Sequence, residues 1–197
     1  MLSPSGACDI LIIKVVGSPG TFTLNGIIDA SAIIQPPASG NSAYQGVDNA
    51  LGASGAGHGG RGGYGFGGDP GGRGCGFLAP PETNVTCGAS GGRGTNYSDT
   101  NYGGGAIVLE AAGDMTINGA VRANGGSAFY GSRGGGGSGG FIHITAQNIF
   151  GSGALEVIGG NGDTYYGGGG AAGRIYVNRN TMSSNIATRA YGGVSCE

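Results

Sequence analysis

The stretch GGGGSGGFIHITAQN, residues 134–148, runs from a glycine tract directly into a segment of alternating apolar and polar residues. Within it, Ile142 and Ile144 alternate with His143 and Thr145. Successive side chains of a β-strand point to opposite faces, so this period of two predicts a strand with one buried face. The segment joins a β-strand to a glycine-rich loop, and the rest of the chain repeats that combination.

The strand recurs at intervals of about 34 residues, the scale of a structural repeat. Residues 140–144 align with 105–109 at a shift of 35 and with 173–177 at a shift of 33. An earlier copy of the following segment is found at 23–30, which aligns with 116–123. We therefore predict four units, each with a first strand, a short turn, a second strand and a glycine-rich loop.

The repeat predicts how the chain buries its apolar residues. One two-stranded unit cannot bury its apolar face alone, whereas stacked copies form a continuous core. We predict an all-β fold, a short parallel β-helix or solenoid of about four two-strand repeats, with long glycine-rich loops along one side. Ordering glycine is costly in backbone entropy. Close packing of bare backbones through hydrogen bonds, or covalent ties, are the two candidates for offsetting that cost.

The chain is predicted to be a single β domain, 1–197, interrupted by a glycine-rich insertion, 36–104. Four cysteines allow three disulfide pairings. Two of them lie in the insertion and would close a local loop, and the other two would tie the ends of the chain together; free thiols are the alternative. These cysteines are Cys75 and Cys87 in the insertion and Cys8 and Cys196 near the ends.

Two N-glycosylation motifs lie in the same insertion, at Asn84 and Asn96. Together with the cysteines they favour a secreted glycoprotein, and the expected location is extracellular or at the cell surface. Residues 1–10 lack the basic start and long apolar core of a signal peptide. A signal is therefore expected to have been removed or to lie outside this chain.

Composition excludes several classes of partner. The formal net charge is −2 and the basic residues are scattered, which argues against nucleic acid despite three Gly-Gly-Arg-Gly segments. No apolar run reaches the ~18–20 residues of a membrane span.

Motifs for metals and cofactors are weak. The sequence has no CxxC pair of the kind that binds zinc, and the GxGxxG match at 55–60 is expected by chance in so glycine-rich a chain. The segment 159–163 resembles a calcium-binding nonapeptide but does not recur in register, so a tight turn is favoured. We expect no cofactor and no metal.

Catalytic constellations are equally sparse. His58 lies among glycines, and His143 is predicted on the outer face of a strand. The sequence therefore suggests no Ser-His-Asp arrangement. Glu110 and Glu156 follow apolar strand residues and are the best candidates for a carboxylate pair of a polysaccharide lyase or hydrolase. Charges at strand edges are the favoured interpretation, and we predict no catalytic residues and no enzyme.

Three strings carry a resemblance to a known group of proteins: residues 134–148, GSGALEVIGG at 151–160 and GGGGAAGRIYV at 167–177. They resemble glycine-rich repeat proteins of bacterial and algal cell surfaces, and the strand pairs resemble rungs of filamentous-haemagglutinin-like parallel β-helices. The resemblance covers 103–193, and 10–32 more weakly. It implies surface display, adhesion or fibre formation, and it transfers no catalytic residues. A unit of 34 residues exceeds a bare two-strand rung, so each turn must carry a loop.

The first predicted strand is the candidate assembly element. It is either the first strand of the stack or a strand donated to a neighbouring copy, and Pro4, Lys14 and Pro19 are the residues that would blunt it. Uncapped ends that pair head to tail generate filaments. The assembly residues are Ile10, Leu11, Ile12, Ile13, Val15 and Val16.

The leading functional prediction is a structural subunit of an extracellular fibre or cell-surface coat that assembles with itself. The alternative is an adhesin or carbohydrate-binding module that presents aromatic side chains of the insertion to a ligand. Those aromatic residues are Tyr64, Phe66, Tyr97 and Tyr102.

Overall fold

A computed structural model describes residues 10–34, 53, 55–59, 61–65, 71, 87–93, 101–183 and 185–195. Every regular element in these residues is a β-strand, as predicted. The strands are β1 (Ile10–Val15), β2 (Phe22–Leu24), β3 (Ile27–Asp29), β4 (Ala106–Ala111), β5 (Met115–Ile117), β6 (Ala120–Arg122), β7 (Phe141–Thr145), β8 (Asn148–Phe150), β9 (Ala154–Glu156), β10 (Arg174–Asn178), β11 (Thr181–Met182) and β12 (Ala187–Arg189).

The twelve strands form three parallel four-stranded sheets. Sheet A has the order β1-β4-β7-β10, sheet B the order β2-β5-β8-β11 and sheet C the order β3-β6-β9-β12. Each strand therefore pairs with the strand three positions later in the chain. The backbone passes through sheets A, B and C in turn and does so four times, which makes four stacked units of three strands.

The number of strands in each unit corrects the prediction of two. The predicted second strand is divided by a bend at Asn118–Gly119 in the second unit and at Asn25–Gly26 in the first. A Cβ atom on Gly119 would lie 1.8 Å from the carbonyl oxygen of Gly26, so the corner requires a residue without a side chain. At the same corner of the third unit Gly151 adopts a φ of 115°, a conformation open to glycine. Local glycines thus convert one predicted strand into two strands on different sheets.

The pairing register reproduces the predicted repeat. Asp29 is aligned with Arg122, Arg122 with Glu156, and Glu156 with Arg189. The last two pairs have the 34- and 33-residue shifts that the sequence indicates, and the first has the shift that aligns 23–30 with 116–123. In-register pairing places equivalent residues of successive units directly above one another, so their side chains point to the same face of the sheet.

The core lies between the three sheets. Side chains of the two middle units fill it and are fully buried, because each has a neighbouring unit on both sides: Ile107, Leu109, Met115, Ile117, Val121, Ile142, Ile144, Ile149 and Leu155. Their counterparts in the end units pack against this cluster and remain only partly buried: Ile13, Phe22, Leu24, Ile28, Ile175, Val177 and Met182. The two ends of the stack therefore expose the edge of the core.

The opposite face of sheet A is also buried at its centre. His143 lies on the face opposite Ile142 and Ile144, as alternation predicts, yet only 8 % of its surface is exposed. Its ring lies edge-on to Phe141 and Tyr176, with centroid separations of 6.1 and 4.9 Å. His143 therefore lies on the predicted outer face of the strand, but its aromatic neighbours shield it from solvent.

Candidate functional site

The glycine-rich loops lie between sheet C of one unit and sheet A of the next, and they bind one another through backbone hydrogen bonds. In the segment 136–140, five successive N–H groups donate to three neighbouring segments in turn, and the order repeats after three residues. The accepting carbonyl oxygens belong to Gly168, Gly126, Ala89, Ala171 and Ala123. A polyproline-II helix has three residues per turn and no internal hydrogen bonds, so its N–H groups point in three directions. The three-residue period of the donors in this loop is the period that a polyproline-II helix produces.

The loops are packed so closely that side chains are excluded. A Cβ atom on Gly136, Gly137 or Gly140 would lie 1.9–2.1 Å from a carbonyl oxygen of a neighbouring segment. Contacts below 3.0 Å are essentially never made by real Cβ atoms. The glycines are therefore needed for close approach of bare backbones. Interloop hydrogen bonding, one of the two compensations that the sequence suggests, is present.

Described parts of the insertion belong to this glycine bundle. Ala56 N donates to Gly136 O, and Gly63 N donates to Gly169 O, at 3.0 and 2.8 Å. His58 is buried and its Nδ1 lies 2.7 Å from the carbonyl oxygen of Gly139, which requires the Nδ1-protonated tautomer. Desolvation by burial lowers the pKa of His58 to about 4, so the ring is neutral at neutral pH. His58 is thus a structural tie between the insertion and the bundle.

The first end of the stack contains the predicted assembly strand. β1 pairs in parallel with β4 of its own chain and is the outermost strand of sheet A. Ile10, Leu11 and Ile12 are 42–53 % exposed, and Ile27 in β3 is 61 % exposed. Val16 follows β1 and is exposed as well. This end, which we call the β1 end, presents an apolar surface beside the outer edges of β1, β2 and β3.

The opposite end, which we call the β10 end, opens into the core. A cavity of about 710 Å³ is lined by apolar and polar side chains of the fourth unit, among them Ile175, Val177, Met182 and Ile186 together with Arg179, Ser183 and Thr188. Ile175 and Val177 continue the inward-facing ladders that begin at Leu11 and Ile13 in the first unit. The β10 end is therefore a recess with apolar side chains at its base and polar side chains among its walls, whereas the β1 end is an apolar surface in the same register.

Polar side chains form ladders along the stack. The Lys14 ammonium lies 2.8 Å from the Glu110 carboxylate, on sheet A. On sheet C the buried Glu156 carboxylate is bound by Arg122, at 2.9 Å, and by Arg189. With Asp29 in register beside Arg122, the charges along this ladder alternate in sign from Asp29 to Arg189. The ladder begins with an acid at the β1 end and finishes with a base at the β10 end.

A cluster of exposed aromatic side chains lies at the tips of two glycine loops. We call it the aromatic tip, and its members are Phe129, Tyr130, Tyr165 and Tyr166, each 43–76 % exposed. The Tyr130 and Tyr165 hydroxyl oxygens are 2.6 Å apart, and their ring centroids are 5.4 Å apart. The Arg133 guanidinium lies 5.9 Å from the Tyr166 ring centroid.

Asp163 holds the aromatic tip in place. Its carboxylate is buried and accepts hydrogen bonds from the backbone N–H groups of Gly131 and Arg133, both at 2.9 Å. This carboxylate therefore joins one loop to the next, and the turn lies at residues 164–166, just after the segment 159–163 for which it was predicted. Sequence reasoning missed the cluster, although Tyr130 and Tyr165 are separated by 35 residues, the spacing of the repeat.

The remaining predicted site residues are dispersed. Tyr64 is exposed beneath Arg61, with 5.4 Å from the guanidinium carbon to the ring centroid, and Tyr102 is half-buried. Glu110 and Glu156 lie on different sheets, and each binds a cationic side chain. Cys87 is disulfide-bonded. Cys8, Cys75, Cys196, Asn84, Asn96, Phe66 and Tyr97 lie outside the described residues, so the cysteine pairing and the glycosylation sites stay predictions.

The described residues contain neither a cluster of metal ligands nor a membrane-spanning helix. In that part of the chain no three residues among His, Cys, Asp and Glu are grouped as metal ligands would be. The same part contains no helix of the length and apolarity needed to cross a membrane.

Comparison with known proteins identifies no relative. No family model, no curated protein and no solved structure matches the chain. The resemblance to glycine-rich cell-surface repeats therefore stays a prediction from the strings that carry it.

Proposed function

We propose that this chain is a parallel β-solenoid that acts as a structural subunit and stacks end to end on further copies of itself in an extracellular fibre or cell-surface coat. The observation that carries the proposal is the complementarity of the two open ends. All strands run in the same direction, so the fourth unit of one copy can accept the first unit of the next in the register used inside the chain.

The ladders support that register. Stacking would place Leu11 and Ile13 of one copy over Ile175 and Val177 of another, as a continuation of the inward-facing rows. It would also place Asp29 beside Arg189, which extends the alternation of charge on sheet C. Each half-exposed apolar side chain buried in this way contributes about 1 kcal/mol, half the value for full burial. A contact between two different ends does not close on itself, so it generates a filament.

Location and covalent decoration complete the proposal. An extracellular setting fits the disulfide at Cys87, and glycans at Asn84 and Asn96 would project from the insertion. A donated β1 strand is the variant of this assembly in which the pairing with β4 is exchanged between copies.

The test reverses one charge at the β1 end. Asp29→Lys would place two cations together at the junction and cost about 1–2 kcal/mol in like-charge contact and lost attraction, about tenfold in the association constant. Ser152→Lys, at an exposed corner of the third unit, is the control and should assemble normally. Sedimentation velocity over a range of concentrations, with electron microscopy of the same samples, gives the readout. A wild-type chain that stays monomeric at high concentration contradicts the proposal.

The aromatic tip favours a second candidate, a binding module. Its two loops are rich in Tyr, Ser and Gly and carry one Arg, and these residue types are common in antibody recognition loops. They are carried on a bundle whose backbones are hydrogen-bonded to one another. The ligand class proposed for this cluster is a glycan, which the sequence predicts for Tyr64 and the other aromatic residues of the insertion. Screening the chain against surface polysaccharides should show saturable binding that Tyr166→Ala abolishes and Phe150→Ala, on β8, retains.

A further inference from the structure

Two tyrosines on separate loops lie in contact at the surface. Tyr130 is 76 % exposed and Tyr165 is 53 % exposed, so both rings are accessible to solutes. Their hydroxyl oxygens are 2.6 Å apart, their centroids are 5.4 Å apart and the ring planes meet at 61°. Each carbon ortho to a hydroxyl is one bond from the carbon that bears the oxygen. The oxygen contact therefore also brings ortho carbons of the two rings close together.

Neighbouring contacts hold this geometry. The Asp163 carboxylate, two residues from Tyr165, accepts hydrogen bonds from Gly131 and Arg133 on the loop that carries Tyr130. Asp163 N also donates to the carbonyl oxygen of Gly134. Three bonds thus join the two loop tips directly behind the phenols. The hydrogen bond with Tyr130 raises the pKa of Tyr165.

We propose that Tyr130 and Tyr165 form an oxidative modification site, at which a one-electron oxidant of the peroxidase–peroxide class joins the two rings as an intramolecular dityrosine. Each phenol loses one electron and one proton, and the two radicals form a carbon–carbon bond between ortho carbons. Each of those carbons then gives up its hydrogen as a proton while its ring oxygen takes up a proton, which restores the phenol with no further net loss of hydrogen. Two phenols and one hydrogen peroxide give one dityrosine and two waters, so the chain loses two hydrogen atoms.

Proximity makes the reaction intramolecular. Groups held on one scaffold have effective concentrations on the order of 1 mM or more, about a thousandfold above a ~1 μM protein solution. Coupling within the chain should therefore exceed coupling between chains by a similar factor. The product joins the glycine loop of the second unit to that of the third by a covalent bond. This inference does not depend on end-to-end assembly, because both rings belong to one chain.

The experiment treats the full chain at ~1 μM with a peroxidase and one equivalent of hydrogen peroxide. The expected result is a monomer lighter by two hydrogen atoms, blue dityrosine fluorescence, and one cross-linked peptide that contains Tyr130 and Tyr165. Tyr130→Phe and Tyr165→Phe keep the rings and remove one phenol, and each should abolish the product. Tyr191→Phe removes a tyrosine of similar exposure and should leave it unchanged.

A second measurement separates geometry from general tyrosine reactivity. The same treatment in denaturant should lose the selectivity for this pair, because the loops are no longer joined by Asp163. Covalent dimers as the main product, an equal yield from Tyr130→Phe, or an unchanged peptide pattern in denaturant would each overturn the proposal.

Discussion

Replacing Gly137 by alanine tests the packing of the glycine bundle. The new Cβ would lie 2.1 Å from the carbonyl oxygen of Tyr102, so the two segments must separate by about 1 Å to restore a 3.0 Å contact. That shift disrupts three hydrogen bonds, from Gly137 N to Gly126 O, from Gly126 N to Tyr102 O and from Gly160 N to Gly137 O. At about 1 kcal/mol each, the loss is about 3 kcal/mol. Alanine also lowers the conformational entropy of the unfolded chain, which raises the free energy of unfolding by about 0.5 kcal/mol.

Gly26→Ala is the matched control. A Cβ atom on Gly26 meets nothing within 4 Å, and Gly26 is not among the glycines with positive φ. The same reduction in unfolded-state entropy should therefore stabilise that variant by about 0.5 kcal/mol. The two variants should differ by about 3 kcal/mol, or about 6–12 °C in Tm for a chain of this size. Thermal and urea unfolding, followed by circular dichroism in dilute solution, give the comparison. A difference below 1 kcal/mol would refute the close packing described for these loops.

Two further predictions concern buried ionisable groups. Glu156→Gln should lower the free energy of unfolding by about 2 kcal/mol, because Arg122 and Arg189 would lose a buried charged acceptor. Glu110 is more exposed, so Glu110→Gln should lower it by less than 1 kcal/mol. Equal losses of the two variants in urea unfolding would contradict this explanation. Because of His58, the free energy of unfolding should fall as the pH is lowered from 6.5 to about 4, since the unfolded chain binds a proton in that range and the folded chain does not. The decline should approach about 3 kcal/mol, and His58→Gln should flatten that part of the pH profile; an unchanged profile would show that another group is responsible.

The repeat was the most predictable feature of the fold. Strands that stack in register must present similar side chains at equivalent positions, so the alignment of 23–30 with 116–123 is also the pairing of β2 with β5 and of β3 with β6. The number of strands in each unit was predicted wrongly, as two instead of three. Asn118–Gly119 reads as part of an alternating segment, and the corner arises because Gly119 lies against the backbone of Gly26 in the unit below.

The candidate sites divide in the same way. An apolar first strand can be identified from Ile10 to Val15 because its composition is local. The cavity at the β10 end, by contrast, requires side chains of β10, β11 and the turn before β12 to surround one space. The insertion was the expected place for exposed aromatic residues, but the described cluster lies on the repeat loops, where Tyr130 meets Tyr165 across two segments.

By itself, the sequence determined the all-β class, the four units and their register, because side-chain alternation and repeat spacing are local properties of the chain. Only the tertiary structure decided which glycine segments lie side by side, since identical glycines carry no information about their partners. It also decided that Tyr130 and Tyr165 meet at the tips of two loops. Those relations depend on contacts between residues far apart in the chain, where backbone approach and hydrogen-bond geometry select the neighbour.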